Sequence, residues 1–140
     1  MNRTASAHWS GGLKDGKGTF SAQSGVFKDT PYSFAKRFES EPGTNPEELI
    51  AAAHASCFTM ALSNQLGTAG MTVQGLDTTC TVTFEKTDAG FTITQSHLAV
   101  TGRITGGDEA KFQEAAQKAK AGCPISRVLN TNITMEAKLA

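Results

Sequence analysis

The sequence lacks an excess of charge of either sign, a leader-like start and an unbroken apolar run. Lys plus Arg and Asp plus Glu number 13 each, so no net field favours nucleic acid or an anionic membrane. The start, MNRTASAHWS, has no apolar stretch of the secretory-signal kind. The longest uncharged run, 49–76, contains His54, Ser56 and Asn64 and is interrupted by glycines, which favours a buried helix over a membrane span. We therefore expect a cytoplasmic protein with neither a nucleic-acid partner nor a membrane partner.

Cysteine is also scarce, with three residues in the chain. Structural disulfides are rare in the cytoplasm, so all three are expected to be thiols at rest, and a bridge between two of them would be transient. Cys57 and Cys123 lie 66 positions apart, a spacing that excludes the CxxC pattern of redox and zinc motifs. No metal site is expected.

The first third of the chain has the alternation of β-structure, with glycine-rich turns. RTASAHW alternates small or aromatic residues with polar ones, GGLKDGKG is typical of a turn, and TFSAQSG predicts the returning strand. DTPYSFAKRF predicts a further extended segment, which brings Arg37 up to the loop ESEPGTN.

A long helix is predicted next. Asn45 is a good N-cap, Pro46 suits the first helical position, and Glu48 occupies the acidic position of a capping box. The helix is expected to run to about Leu66 and to stop at Gly67. It carries no charge from residue 49 onward and so has no obvious solvent face, which predicts a central helix covered on most sides.

The second half predicts a hairpin, two helices and a closing strand. MTVQGLDTTCTVTFEK and GFTITQSHLAVTG are expected to pair through a turn at 87–90, with a bulge or two-sided burial between Ile93 and Leu98. Asp108 should cap the amphipathic helix EAKFQEAAQKAKA and Gly122 should end it. Cys123 and Pro124 then open a short helical turn, and TNITMEAKL is the last strand. The order describes one α+β domain over residues 1–140.

The three cysteines differ in context. Cys80 lies on the apolar face of a strand, among threonines and away from basic residues, and is interpreted as a small buried hydrophobe. Cys123 precedes a proline at a helix start, where it is either a thiolate stabilised by backbone N–H groups or an N-cap substitute. Cys57 lies inside a helix, where a buried thiol is inert unless a cation is near. His54, three residues earlier, is one candidate partner, although a lone helical histidine more often makes a structural hydrogen bond.

Two segments resemble a known family. RFESEPGTNPEELIAAAHASCFTMALS and KAKAGCPISRVL are similar to the OsmC branch of the OsmC/Ohr family of organic hydroperoxide reductases. The resemblance implies an OsmC-like fold, with antiparallel sheets around a central buried helix and an intertwined homodimer whose active sites lie at the subunit interface. It also implies that Cys57 is the peroxidatic cysteine, Cys123 the resolving one, and Arg37 and Glu47 their assistants.

Spacing sets a condition on that site. Glu47 and Cys57 are ten residues apart, which separates them by about 15 Å along one helix. If both serve one site, Glu47 must come from a second copy of the chain, with two such helices packed antiparallel across the small residues Ala51, Ala52 and Ala53. Arg37 is expected to form a bidentate ion pair with Glu47 and to act as the fixed positive charge near Cys57.

The resemblance implies thiol peroxidase chemistry in oxidative and osmotic stress defence. Organic hydroperoxides, and hydrogen peroxide more weakly, would be reduced through a Cys57 sulfenic acid and a Cys57–Cys123 disulfide, with no bound cofactor and an external lipoyl-type dithiol as reductant. An apolar wall of Phe34, Phe38, Phe58 and Met60 would favour organic substrates, although each residue could equally belong to the core. The alternatives are a non-enzymatic redox sensor that uses the same cysteine pair, and a structural dimer with inert thiols.

Overall fold

The computed structural model describes all residues from 1 to 140 and is of the α+β class, with two three-stranded sheets and four helices. The chain divides into two compact units, Met1–Leu49 and Ile50–Ala140. That the whole chain forms one domain stays a prediction. The elements are β1 (Ala5–Ser10), β2 (Lys17–Ala22), β3 (Thr30–Tyr32), α1 (Phe34–Phe38), α2 (Pro46–Thr68), β4 (Thr72–Thr87), β5 (Gly90–Thr105), α3 (Glu109–Gly122), α4 (Pro124–Val128) and β6 (Asn132–Leu139).

The first unit contains the antiparallel sheet β1-β2-β3. A side chain at Gly18 would lie 2.5 Å from the Tyr32 ring and 2.6 Å from the Trp9 ring, so only glycine lets these aromatic rings cover the strand. The extended segment expected over DTPYSFAKRF is wrong in its second half, which forms the short helix α1. The Ser33 side chain caps that helix by accepting a hydrogen bond from the Lys36 N–H.

The start of α2 is confirmed, whereas its predicted end is wrong by a few residues. The Asn45 side chain accepts a 2.9 Å hydrogen bond from the Glu48 N–H, while the Glu48 carboxylate accepts one from the Thr44 hydroxyl. The helix continues past Gly67 because the left-handed residue that ends it is Gly70, with φ of 82°. The Met71 N–H then bonds to the Leu66 carbonyl, which closes a Schellman motif.

The predicted hairpin of β4 and β5 is confirmed. The strands pair antiparallel from Thr72↔Thr105 to Thr87↔Gly90, and the register shifts where Thr83 pairs with Gln95 but Phe84 pairs with Ile93. The expected bulge therefore lies at position 94. This shift explains why the apolar positions of β5 change phase along the sequence.

The second sheet is not wholly antiparallel, which corrects the expectation. β6 pairs parallel to β5, from Gln95↔Asn132 to Gly102↔Leu139. The chain returns to the starting end of β5 through α3 and α4, and such a helical crossover leads into a parallel strand. Asp108 caps α3, Gly122 ends it, and the four residues predicted to face inward are buried: Phe112, Ala115, Ala116 and Ala119.

The core of the second unit lies against one face of α2. Phe58, Leu62 and Leu66 are fully buried there with Leu98 and Phe112. The opposite face is open, since Ala52, Ala53 and Ser56 are exposed and Met60 is 77% exposed. A single chain therefore covers α2 only in part. None of the helices combines the length and apolar content needed to cross a bilayer.

Candidate active site

Cys57 and Cys123 come together in the second unit. Their sulfur atoms are 2.8 Å apart, with the Cys123 thiol donating to Cys57, and both are free thiols. Cys57 lies in the middle of α2 and Cys123 lies between α3 and α4, so tertiary packing alone makes the pair. A disulfide needs a separation of about 2.05 Å, which a small movement of either side chain would achieve.

The environment of Cys57 holds it as a thiol. Burial raises the pKa of the Cys57 thiol. The adjacent Cys123 sulfur raises that pKa further, because a negative charge on one sulfur disfavours a second negative charge beside it. The backbone N–H of Ile125, in α4, acts in the opposite direction by hydrogen bonding to the Cys57 sulfur. Within this unit, a backbone dipole thus supplies part of the thiolate stabilisation that was expected from a cation.

Cys123 is held by its backbone rather than by its sulfur. It is the C-cap of α3, where its N–H bonds to the Ala119 carbonyl, and it is the N-cap of α4, where Pro124 follows. It therefore occupies the N-cap position, but its side chain makes no capping hydrogen bond. The buried sulfur is directed to Cys57 instead.

The third cysteine lies in a buried polar cluster that we call the His54 cluster: His54, Cys80, Ser96 and Ser126. His54 is fully buried, and its ring nitrogens are 2.7 Å from the Ser96 hydroxyl and 2.8 Å from the Ser126 hydroxyl. Because both nitrogens have serine partners, the ring is not the base of a Cys57–His54 dyad. Burial lowers the pKa of His54, which keeps the imidazole neutral.

Cys80 is not as far from a basic residue as its strand neighbours suggested. Its sulfur is 3.2 Å from the Ser96 hydroxyl and 3.9 Å from the ring of His54. Burial raises the pKa of the Cys80 thiol, which agrees with the interpretation that it is unreactive.

We expect Cys80→Ala to leave the rate of peroxide reduction within about twofold of wild type and to lower the free energy of unfolding by about 1 kcal/mol. The substitution removes a sulfur that does not contact the Cys57–Cys123 pair, so the rate should not change. The same sulfur packs against the core, so its loss should reduce stability. Urea denaturation and steady-state assays of the folded variant measure the two effects. A large loss of rate without a loss of fold would contradict the assignment of Cys80 as a structural residue.

The first unit holds the predicted ion pair. Arg37 Nη2 is 2.8 Å from Glu47 Oε1, and Arg37 Nε is 3.2 Å from each carboxylate oxygen. The Glu47 side chain is 11% exposed and that of Arg37 is 38% exposed, so the carboxylate is the more enclosed member. This geometry fixes the plane of the guanidinium and leaves part of it open to solvent.

An aromatic cavity adjoins that arginine, with a volume of about 260 Å³. The rings of Phe34 and Phe38 lie 4.7 Å apart, and the Arg37 guanidinium is 5.2 Å from the centre of the Phe38 ring. Two of the four residues expected in an apolar wall therefore lie beside Arg37. Phe58 belongs to the core instead, and Met60 is on the exposed face of α2. The cavity is lined by Trp9, Leu13, Tyr32, Ser33, Phe34, Arg37 and Phe38.

A family model described as OsmC-like protein matches residues 38–138, which is more than half of the chain. The chain belongs to the OsmC-like family. The family expected from the two cysteine segments is thereby confirmed. This OsmC-like protein is 52% identical to peroxiredoxin OsmC of Escherichia coli over 139 residues, or 99% of this chain and 97% of the relative.

Solved structures agree with the fold. The organic hydroperoxide resistance protein OhrB of Bacillus subtilis superposes with a TM-score of 0.72 at 27% identity, over 98% of each chain. An OsmC-like protein of unknown function from Vibrio cholerae superposes with a TM-score of 0.77 over 98% of this chain and 99% of that one. The latter shares 17% identity and supports the fold alone.

The OsmC-like chain thus brings together two predicted pairs, Cys57 with Cys123 and Arg37 with Glu47. Their catalytic roles stay predictions. Sequence reasoning missed Ile125, Ser96 and Ser126, because only the tertiary structure shows what a backbone N–H or a serine contacts. No group of three or more His, Cys, Asp or Glu side chains is placed to hold a metal ion.

Proposed function

We propose that this protein is a cysteine-dependent peroxidase that reduces organic hydroperoxides to alcohols, in oxidative and osmotic stress defence in the cytoplasm. The observation that carries the proposal is the pair of free thiols, Cys57 and Cys123, with sulfurs 2.8 Å apart. The 52% identity to a peroxiredoxin over nearly the full chain supports a peroxidase activity, and hence an oxidoreductase. The sequence of OhrB from Bacillus subtilis, an organic hydroperoxide resistance protein, is 28% identical over 72% of this chain. This similarity favours organic substrates.

The reaction proceeds in two steps on the protein. The Cys57 thiolate attacks the terminal oxygen of ROOH, an S–O bond forms, the O–O bond breaks, and ROH leaves after taking up a proton. The sulfur of Cys123 then attacks the sulfenic sulfur of Cys57. The S–S bond forms as the S–O bond breaks, and water leaves with the Cys123 proton. An external dithiol returns both cysteines to thiols, and the family resemblance implies a lipoyl-type one.

Arg37 acts mainly on the transition state. Lowering a thiol pKa from about 8.5 to about 5.5 raises the thiolate fraction at pH 7 roughly thirtyfold. The same change weakens the nucleophile roughly twentyfold, for a Brønsted slope of about 0.45. Because these effects nearly cancel, most of the acceleration comes from orienting the peroxide and stabilising charge on the departing oxygen. A guanidinium fixed by Glu47 suits that task.

The active unit is an intertwined homodimer in this proposal, and each site combines Cys57 and Cys123 of one chain with Arg37 and Glu47 of the other. The ten-residue spacing of Glu47 and Cys57 on α2 supports it, since about 15 Å of helix separates them. The exposed strip of small and apolar residues on α2 supports it as well, because burial of such a face by a second copy is favourable. An open groove of about 710 Å³ runs along that strip, between Ala52 or Met60 and the strand residues Thr78 and Ala99.

The direct test is steady-state reduction of cumene hydroperoxide against hydrogen peroxide, with dihydrolipoamide as reductant. We expect the larger kcat/KM for cumene hydroperoxide. If neither peroxide is turned over while the thiols remain reducible and the protein folded, the peroxidase is excluded in favour of a redox sensor. If the thiols do not react at neutral pH, the structural dimer with inert thiols is the remaining alternative.

The aromatic cavity beside Arg37 is proposed to hold the organic group of the substrate. We expect Phe38→Ala to raise KM for cumene hydroperoxide about tenfold, because the ring supplies apolar contact area, and to change KM for hydrogen peroxide little. Phe91→Ala, which truncates a phenylalanine that is 59% exposed and lies outside the cavity, is the matched control. An equal effect of Phe38→Ala on both peroxides would argue against a role in specificity.

A further inference from the structure

The short helix α4 carries three groups that contact α2. The Cys123 thiol, at its start, donates to the Cys57 sulfur, and the Ile125 N–H bonds to the same sulfur. The Ser126 hydroxyl is 2.8 Å from His54 Nε2. Two of these three contacts therefore end on the atom that reacts.

Helix α4 depends on contacts with neighbouring elements for its position. It has five residues, and an isolated helix of that length is unstable in water. The contacts to the Cys57 sulfur change whenever that sulfur is ionised or oxidised. Of the hydrogen bonds that join α4 to α2, only the one between His54 and Ser126 is independent of the state of Cys57.

The geometry of the His54 cluster suits an anchor. His54 lies three residues before Cys57 on α2, and Ser126 lies three residues after Cys123, so their hydrogen bond runs beside the sulfur pair. On the other side of the ring, Ser96 of β5 holds Nδ1 at 2.7 Å. Both ring nitrogens and both hydroxyls are buried and satisfied, which fixes the ring in one orientation.

We propose that His54 is a positioning residue that anchors α4 through Ser126, and so keeps Cys123 and the Ile125 N–H in place while Cys57 changes its redox state. This inference rests on the proposed function, because it assigns a role within the same site. An apolar side chain in place of the histidine could supply similar packing energy. Hydrogen bonds to two serines on different elements also fix the orientation of α4. A resolving cysteine requires such a fixed orientation, because its sulfur has to reach the sulfenic sulfur.

The test uses two matched variants. Ser126→Ala removes the hydrogen bond on the α4 side of the ring, and Ser96→Ala removes the one on the β5 side. The readout is the equilibrium between the Cys57–Cys123 disulfide and reduced dithiothreitol, followed by thiol counting. We expect Ser126→Ala to make the disulfide about tenfold less stable, which corresponds to a potential about 30 mV higher. Ser96→Ala should stay within about twofold of wild type, and Ser126→Thr, which keeps the hydroxyl, should restore the wild-type value.

A merely structural role makes a different prediction. Both alanine variants would then lose thermal stability and neither would change the disulfide equilibrium. Equal equilibria in wild type and folded Ser126→Ala, or equal shifts in the two alanine variants, would overturn the proposal. Dithiothreitol exchange involves no peroxide, so a wild-type protein that fails to reduce peroxide refutes the proposed function without affecting this result.

Hydrogen exchange provides a second measurement that does not depend on the folding of Ser126→Ala. The N–H groups of Arg127 and Leu129 close the hydrogen bonds of α4. In Cys57→Ala both contacts to the reactive sulfur are absent, yet the anchor remains, so these amides should keep their protection within about tenfold of wild type. Loss of that protection would show that the sulfur contacts, rather than His54, hold α4.

Discussion

Cys57→Ser protein is expected to consume peroxide no faster than buffer, whereas Cys123→Ser protein should consume about one equivalent per chain and then stop. Serine at 57 removes the nucleophile. Serine at 123 leaves the first step intact but gives the sulfenic acid no sulfur to condense with. Stopped-flow peroxide consumption, followed by dimedone labelling and mass spectrometry, distinguishes the two blocks.

Cys80→Ser is the matched control for both variants, because it makes the same exchange at the third cysteine. It should turn over like wild type. Sustained turnover by Cys57→Ser would refute the assignment of the nucleophile. Sustained turnover by Cys123→Ser at the wild-type rate would mean that the external dithiol attacks the sulfenic acid directly.

Mixing two inactive variants is expected to restore activity if the sites are shared between chains. One variant is Cys57→Ser and the other is Arg37→Ala/Glu47→Ala. In a heterodimer with shared sites, one site carries both defects and the other carries none, so each heterodimer should regain about half the wild-type activity. The measurement is steady-state turnover after co-refolding, with native mass spectrometry to count heterodimers.

The control mixture is Cys57→Ser with Cys123→Ser. These cysteines contact each other within one chain, so each site of that heterodimer lacks one of them and no turnover should return. If heterodimers form and the first mixture stays as inactive as the control, both pairs would have to act within one chain. The crossed arrangement of two α2 helices would then be refuted, and the exposed uncharged strip would need another occupant.

Local signals in the sequence were enough for many of the elements. Asn45 and Asp108 mark helix starts through side chains that cap the first turn, and Gly122 is the last residue of α3, so the structure confirms these bounds. α1 was missed although Ser33 is a usable capping signal, because its aromatic residues also suit a strand. The predicted end of α2 at Gly67 is wrong because sequence alone does not show that Gly70 is the glycine with positive φ.

Features that depend on distant segments were beyond local reasoning. The parallel pairing of β6 follows from the path of α3 and α4, and a strand pattern does not encode its partner. The His54 cluster joins positions 54, 96 and 126, which no spacing rule connects. The two predicted pairs of the site, by contrast, came from a family resemblance, which carries tertiary information that periodicity lacks.

The order of the two paired cysteines along the chain affects how the protein is made. Cys57 lies in α2, whereas Cys123 lies between α3 and α4, 66 residues later. Because chains are synthesised from the N-terminus, Cys57 leaves the ribosome before Cys123 has been added. A peroxide that reaches Cys57 at that stage meets no resolving sulfur, so the sulfenic acid can go on to irreversible sulfinic acid. A nascent chain that is oxidised at Cys57 therefore cannot form the protective disulfide until Cys123 has been added.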